Sequence, residues 1–325
     1  MSRGFIETES GVTPYPEIEP YASGFLAVDP PHRLYWERVG KKGGVPAVHL
    51  HGGPGRGCTP ANRRTFDPDF YDLVLFDQRG GGRSLPFGEM SGNNTDALIA
   101  DLERLRRHLG VERWVVGGGS WGSLLGLAYA EAHPASVAGL ILRGVTTGSD
   151  AAIRWWSNDV RNLFPDLWTP FANFIPEAER GDLTQAYGKR IADPDPAVWQ
   201  PAAEAFWEYS TRLSSFKTPA KAPDATVEQK RQGTLMFFHY VANRFFVKPG
   251  QLLADIPKIR HIPCIVVQGR YDVVTRPLNA YEVAAAWPEA DLRFIHEAGH
   301  DASEPALMAA LTQACDDMKT RMRRG

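Results

Sequence analysis

A serine hydroxyl attacks a carbonyl only when a base takes its proton and a third group orients that base. Gly118-Gly119-Ser120-Trp121-Gly122 offers such a serine in the pattern G-x-S-x-G. An apolar run over 114–116 precedes it, and a small, apolar helical stretch over 123–132 follows. That strand–turn–helix setting lifts Oγ off a sheet, and the helix N-terminus favours developing negative charge. A plain glycine-rich βα turn is the competing reading of these five residues. The partners decide between the two. Asp272 closes Gln268-Gly269-Arg270-Tyr271-Asp272, just after the apolar run 265–267, and His300 closes Ala298-Gly299-His300, after the run 292–295. Serine, acid, histidine is the chain order of a triad on a parallel α/β sheet. Alone, Asp272 reads as a turn residue and His300 as a surface loop. Each following a strand, they converge with Ser120 on one sheet edge, and acyl transfer is the chemistry they imply.

Acyl transfer also needs two N–H donors for the oxyanion. His51-Gly52-Gly53-Pro54-Gly55 follows the apolar run 45–50, and a glycine there presents an N–H with no Cβ in the way. Trp121, directly after the nucleophile, supplies the other.

Two rival motifs share these residues. Gly117-x-Gly119-x-x-Gly122 matches a dinucleotide fingerprint, but the next strand ends Leu142-Arg143-Gly144, with no acid to hold a ribose. His296-Glu297-x-x-His300 spells a zinc signature. Zinc needs both imidazoles on one helix face, whereas 292–295 reads as strand and Gly299 costs about 1 kcal/mol inside a helix. No metal and no cofactor is expected.

The elements that must position these groups are legible. Strands are expected over 24–28, 33–39, 45–50, 71–76, 114–116, 137–142, 264–267 and 292–295. Asn94-Thr95-Asp96 caps a helix whose leucines, Leu98, Leu102, Leu105 and Leu109, recur every three to four residues before Gly110 ends it. Further helices are expected over 278–286 and 305–318. Strand–helix–strand at this spacing predicts an α/β fold with a mostly parallel sheet. From 149 to about 250 helical patterns take over, and five of the nine tryptophans fall there: Trp155, Trp156, Trp168, Trp199 and Trp207. The expected division is a core over 1–144, a helical cap over 145–250 and a second core part over 251–325.

Composition narrows the class. The 325 residues are 43% hydrophobic and 23% charged, a globular balance that excludes wholesale disorder. A net charge of −2 advertises neither nucleic acid nor a membrane surface as partner. Cys58, Cys264 and Cys315 are odd in number and far apart, so no disulfide framework or cysteine zinc site follows. No apolar h-region is visible over 1–10 and no apolar run nears a membrane span, so a cytoplasmic protein is expected. The basic residues Lys319, Arg321, Arg323 and Arg324 are expected in solvent.

Taken together, the segments resemble the prolyl aminopeptidase (proline iminopeptidase) family of α/β-hydrolases. The resemblance rests on His51-Gly52-Gly53-Pro54-Gly55, Asp77-Gln78-Arg79-Gly80-Gly81-Gly82-Arg83-Ser84 and Gly118-Gly119-Ser120-Trp121-Gly122-Ser123. It continues through Leu142-Arg143-Gly144, Phe164-Pro165-Asp166-Leu167-Trp168, Trp207-Glu208, Gly269-Arg270-Tyr271-Asp272 and Ala298-Gly299-His300. It implies an α/β-hydrolase core with an inserted helical cap, and removal of an N-terminal residue, usually proline, from a small peptide or aminoacyl amide. By position it makes Ser120 nucleophile, His300 base and Asp272 orienting acid, with Gly53 and Trp121 as oxyanion donors. Substrate contacts fall on Gly52, on Thr146 and on Glu208, a buried cap carboxylate facing the substrate ammonium with Arg143 as its ion-pair partner. The chain departs from the family twice: Ala242 stands where a second cap glutamate is expected, and Thr146 where an aromatic is. Glu208 is therefore expected to carry most of the remaining ammonium recognition, with a looser proline pocket. A serine amidase or esterase acting on a non-peptide small molecule is the alternative within this mechanism. A nucleotide-dependent oxidoreductase lacks its ribose acid, and a non-catalytic binder would have lost a triad member.

Overall fold

The computed structural model describes residues 12–217, 219, 222 and 224–323. One eight-stranded sheet organises them: β1 (Ala22–Ala27), β2 (Arg33–Gly40), β3 (Val45–Leu50), β4 (Tyr71–Phe76), β5 (Trp114–Gly119), β6 (Val137–Arg143), β7 (Cys264–Gly269) and β8 (Asp291–Ile295). The strand order is β1-β2-β4-β3-β5-β6-β7-β8. β1 and β2 form an antiparallel edge that joins β4, and every other neighbour pair is parallel. The fold class is thus the mostly parallel α/β sheet that the alternation of elements implied.

β4, β5 and β7 are buried at every residue, which is why they read as unbroken apolar runs: a parallel strand covered on both faces has no polar side. One face packs against α1 (Thr95–His108), α2 (Trp121–Ala132) and, further along the chain, α9 (Pro277–Ala286). Leu98, Leu102, Leu105, Leu124 and Val283 meet Val48, Val74, Val116 and Val266 there. Each such side chain, fully buried, contributes roughly 1.5–3 kcal/mol. The other face takes α10 (Pro305–Met322), through Ala310, Ala314 and Met318. α1 begins where the sequence places it, with the Asn94 side chain accepting the Ala97 N–H.

α10 runs one turn further than expected, and its basic end is not free in solvent. Lys319 pairs with Asp67, Arg321 with Asp291 at 2.9 Å, and Arg323 lies over Phe70. Charge alone suggested a solvated tail, but these cations complement carboxylates on the core at a helix C-terminus. Arg324 lies outside the described residues.

Between β6 and β7 the described residues contain no strand. They form α3 (Asp150–Ser157), α4 (Pro165–Asn173), α5 (Leu183–Ile191), α6 (Pro196–Ser214), α7 (Val227–Ala242) and α8 (Gln251–Ala254). α4 to α7 share a small core in which Phe171 stacks between Tyr187 and Tyr209, centroids 4.4 and 4.1 Å away. Beyond α7, Arg244, Phe245 and Phe246 all carry positive φ, a left-handed turn unusual without glycine. It lays Phe245 against Trp121, centroids 5.7 Å apart, and Tyr240 closes on the same indole at 4.6 Å.

Candidate active site

The centre of the sheet dictates the site. β5 lies between β3 and β6, so the loop after each opens on the same carboxyl edge, where ligands bind in open α/β sheets. Ser120 turns the chain from β5 into α2 with φ 57 and ψ −124, a strained conformation for a residue with a side chain. Glycine at 122 makes the turn possible, because a Cβ there would stand 2.1 Å from the Leu50 carbonyl oxygen.

His300, on the loop after β8, places Nε2 3.0 Å from Ser120 Oγ and Nδ1 2.8 Å from Asp272 Oδ2. Asp272, after β7, is fully enclosed. Burial pushes its pKa up, but the His300 ring and hydrogen bonds from His300 and Thr275 outweigh this and hold it below the ordinary carboxylate value. An ionised carboxylate only accepts, so Nδ1–H donates to Asp272 and Nε2 is left to accept the serine proton. Asp272 is itself pinned: Oδ1 accepts the Val274 and Thr275 N–H groups at 2.9 and 2.7 Å, and Oδ2 accepts Thr275 Oγ1–H at 2.8 Å and a Gln268 amide N–H at 3.2 Å.

Opposite the elbow, Gly52 lies close enough that a Cβ on it would meet Ser120 Cβ at 3.4 Å. The loop owes its shape to His51. Its Nδ1 lies 2.8 Å from the Gly52 carbonyl, and Nε2 accepts the Gln78 N–H at 3.0 Å. Burial lowers the His51 pKa, which keeps the ring neutral for both bonds. The N–H groups of Gly53 and Trp121 have no acceptor among the described residues. The Trp121 side chain is anchored by donation to Gln78 Oε1 at 2.7 Å. Thr146 sits beside the elbow, its N–H 3.2 Å from Ser123 Oγ, which in turn donates to the Ser120 carbonyl at 2.6 Å.

Two expectations change. Arg143 does not pair with Glu208. At the end of β6 its guanidinium packs under Gly119 and donates to the His300 carbonyl at 2.6 Å, so it braces the histidine loop from below. Glu208 is not a buried carboxylate: its side chain is 44% exposed and reaches Arg212, one turn on along α6, at 3.5 Å and the Ala222 N–H at 3.3 Å. An i,i+4 partner on the same helix is closer than one beneath the elbow. The His296-Glu297-x-x-His300 segment leaves β8 as a loop, with Glu297 at φ 54, so its two imidazoles do not share a helix face.

Glu304 is a contributor that sequence reasoning missed. Its carboxylate accepts the Gly299 N–H at 2.6 Å and the Phe216 N–H at 2.5 Å. Alongside it, the carbonyl of Ser214, the last residue of α6, accepts the N–H groups of His300 and Asp301 at 2.7 and 2.9 Å. The helical segment thereby grips the histidine loop directly. Gly299 permits the approach, since a Cβ there would stand 2.6 Å from the Phe216 nitrogen. Thr275, three residues after Asp272, was findable as a turn partner of that aspartate. Glu304 carried no such signal.

A strained serine between strand and helix, with its partners after later strands of the same edge, belongs to the α/β hydrolases. The profile described as "alpha/beta hydrolase fold" matches residues 48–306. The chain is 44% identical to the proline iminopeptidase of Arabidopsis thaliana, covering 95% of this chain and 83% of that one. It is 42% identical to the proline iminopeptidase of Xylella fastidiosa strain Temecula1, covering 94% and 98%. The crystal structure of the Mycobacterium smegmatis proline iminopeptidase superposes with a TM-score of 0.59 at 20% identity, covering 93% of this chain and all of that one, a likeness of fold. The chain belongs to the proline iminopeptidase family of α/β hydrolases and is an enzyme of that kind. No helix among the described residues is long and apolar enough to cross a membrane.

Proposed function

We propose that the protein is a serine exopeptidase, releasing an N-terminal proline or other aminoacyl group from a short peptide or small aminoacyl amide. The hydrogen-bonded chain from Ser120 through His300 to Asp272 carries this reading. Ser120 Oγ attacks the scissile carbonyl as its proton passes to His300 Nε2, and Asp272 steadies the imidazolium. The Gly53 and Trp121 N–H groups, left unpaired by the protein, receive the oxyanion. His300 then returns the proton to the leaving amine. Water, deprotonated by the same nitrogen, releases the aminoacyl group from the ester.

In this reading residues 145–250 form a cap over the edge of a core built from 1–144 and 251–325. Glu208 attracts the substrate ammonium from α6, Gly52 and Thr146 border the acyl group, and Arg143 positions the histidine loop. Three unpaired thiols, Cys58, Cys264 and Cys315, favour a reducing compartment, the cytoplasm. The exposure of Glu208, its Arg212 partner and Ala242 at the second carboxylate position keep one alternative in view, an amidase or esterase indifferent to a free amine.

The test is a panel of aminoacyl arylamides, N-blocked controls and simple esters, with wild type and Ser120→Ala. Free-amine arylamides should be turned over and blocked ones refused. Ser120→Ala should fold and lose about three or more orders of magnitude in kcat. Near-normal turnover by folded Ser120→Ala would end the acyl-enzyme reading. Equal turnover of blocked and free substrates would leave the amidase or esterase.

A further inference from the structure

Arg56 has no assigned part in this chemistry, yet it stands beside it. It follows the oxyanion loop closely enough that a Cβ on Gly53 would meet its Cγ at 3.3 Å. Across from it, α6 lays Trp207 under the guanidinium, 5.3 Å from atom to ring centroid. The side chain therefore bridges the core loop and the helical segment. It is water-accessible but hemmed in by protein, and this crowding lowers its pKa, an effect that attraction to Asp301 partly offsets. Asp301, the residue after His300, is thus a carboxylate whose charge reaches this cation. Among the described residues Arg56 forms no ion pair and no hydrogen bond. An arginine resting over an aromatic ring, with its N–H fork unused, suits a planar anion held in two parallel bonds.

We propose that Arg56 binds the free C-terminal carboxylate of the peptide that leaves, making the enzyme favour a free-acid peptide of one length over its C-terminal amide. This inference rests on the exopeptidase reading above. That reading places the acyl residue at Ser120 and the rest of the substrate toward His300 and Asp301, and a short leaving peptide ends in the only anion such a substrate must carry. Trp207 lies over the guanidinium, 5.3 Å from atom to ring centroid, and the Asp301 charge opposes a second anion there.

The experiment compares kcat/KM for di-, tri- and tetrapeptides with N-terminal proline, each as free acid and as C-terminal amide, in wild type, Arg56→Gln, Arg56→Met and Asp301→Asn. In wild type the acid-to-amide ratio should peak at one length, at about ten-fold, the size of a charge-assisted bond discounted for solvent. It should fall towards unity in both Arg56 variants, shrink with added salt, and rise in Asp301→Asn. A wild-type ratio of one at every length, or a ratio that survives Arg56→Met, overturns the proposal while leaving the exopeptidase intact. No turnover of either acid or amide, with Ser120 unlabelled by a serine-directed phosphonate, would instead sink the reading beneath it.

Discussion

Replacing Glu304 by alanine removes two bonds at once, to Gly299 N–H at 2.6 Å and to Phe216 N–H at 2.5 Å. A hydrogen bond to a charged group is worth about 1.5–3 kcal/mol net, and Glu304 is half-exposed, so water recovers part of the loss. A stability cost of about 2 kcal/mol follows, a fall of a few degrees in Tm for a chain of this size. The kinetic effect should be larger. His300 remains tethered by the Ser214 carbonyl at 2.7 Å and by Arg143 at 2.6 Å, so the base is loosened rather than lost. A displacement of about 1 Å at the reacting groups costs on the order of a hundred-fold. Glu304→Ala should therefore lower kcat ten- to a hundred-fold on amides and esters alike, and formate, which bridges two N–H groups, should restore part of it where chloride does not. Unchanged kcat alongside the fall in Tm would refute the argument and leave Glu304 a purely structural tie.

Glu208→Gln should reduce kcat/KM for free-amine substrates by about three- to ten-fold, less than a buried carboxylate would give, and hardly affect neutral esters; steady-state kinetics on matched pairs checks this. Gly122→Ala, whose Cβ would stand 2.1 Å from the Leu50 carbonyl, should distort the elbow and abolish labelling by a serine-directed phosphonate before it abolishes the far-UV spectrum. Glu131, buried in α2 with neither carboxylate oxygen partnered, has its pKa raised to about 8, first by burial and then by Asp255. Below its unfolded value it is neutral in both states. Between that value and about 8 the unfolded chain ionises first, so stability falls as pH rises. Relative to wild type, Glu131→Gln should thus be more stabilising at pH 8 than at pH 5, by about 1–3 kcal/mol in denaturant titrations, and an equal difference at the two pH values would count against the buried, protonated carboxylate.

The triad was legible because each member follows an apolar run, and strand ends on a parallel sheet share an edge. The same logic found β3 to β8, since buried strands announce themselves. What it missed lies across sequence distance. Nothing near Glu304 tells that Phe216, 88 residues away, will come within reach. Glu208 was misjudged as buried, since the position came from resemblance while the burial depends on how α6 is rolled. Arg143 was assigned by charge, and charge does not reveal that a backbone carbonyl is the nearer acceptor.

The segment between β6 and β7 is held to the core at several separate points. The end of α6 meets the histidine loop through the Ser214 carbonyl and the Phe216 N–H, which donates to Glu304; Trp155 donates to the Val273 carbonyl; at α7 Tyr240 donates to Asn93, and beyond it the turn at Phe245 stacks on Trp121. Lifting it as one body would break all of these bonds, three of them to the loop that carries the base, together with the aromatic contact. In the exopeptidase reading, substrate then threads between walls that stay in place, and molecular girth, together with the charge it meets at Arg56, sets what reaches the serine.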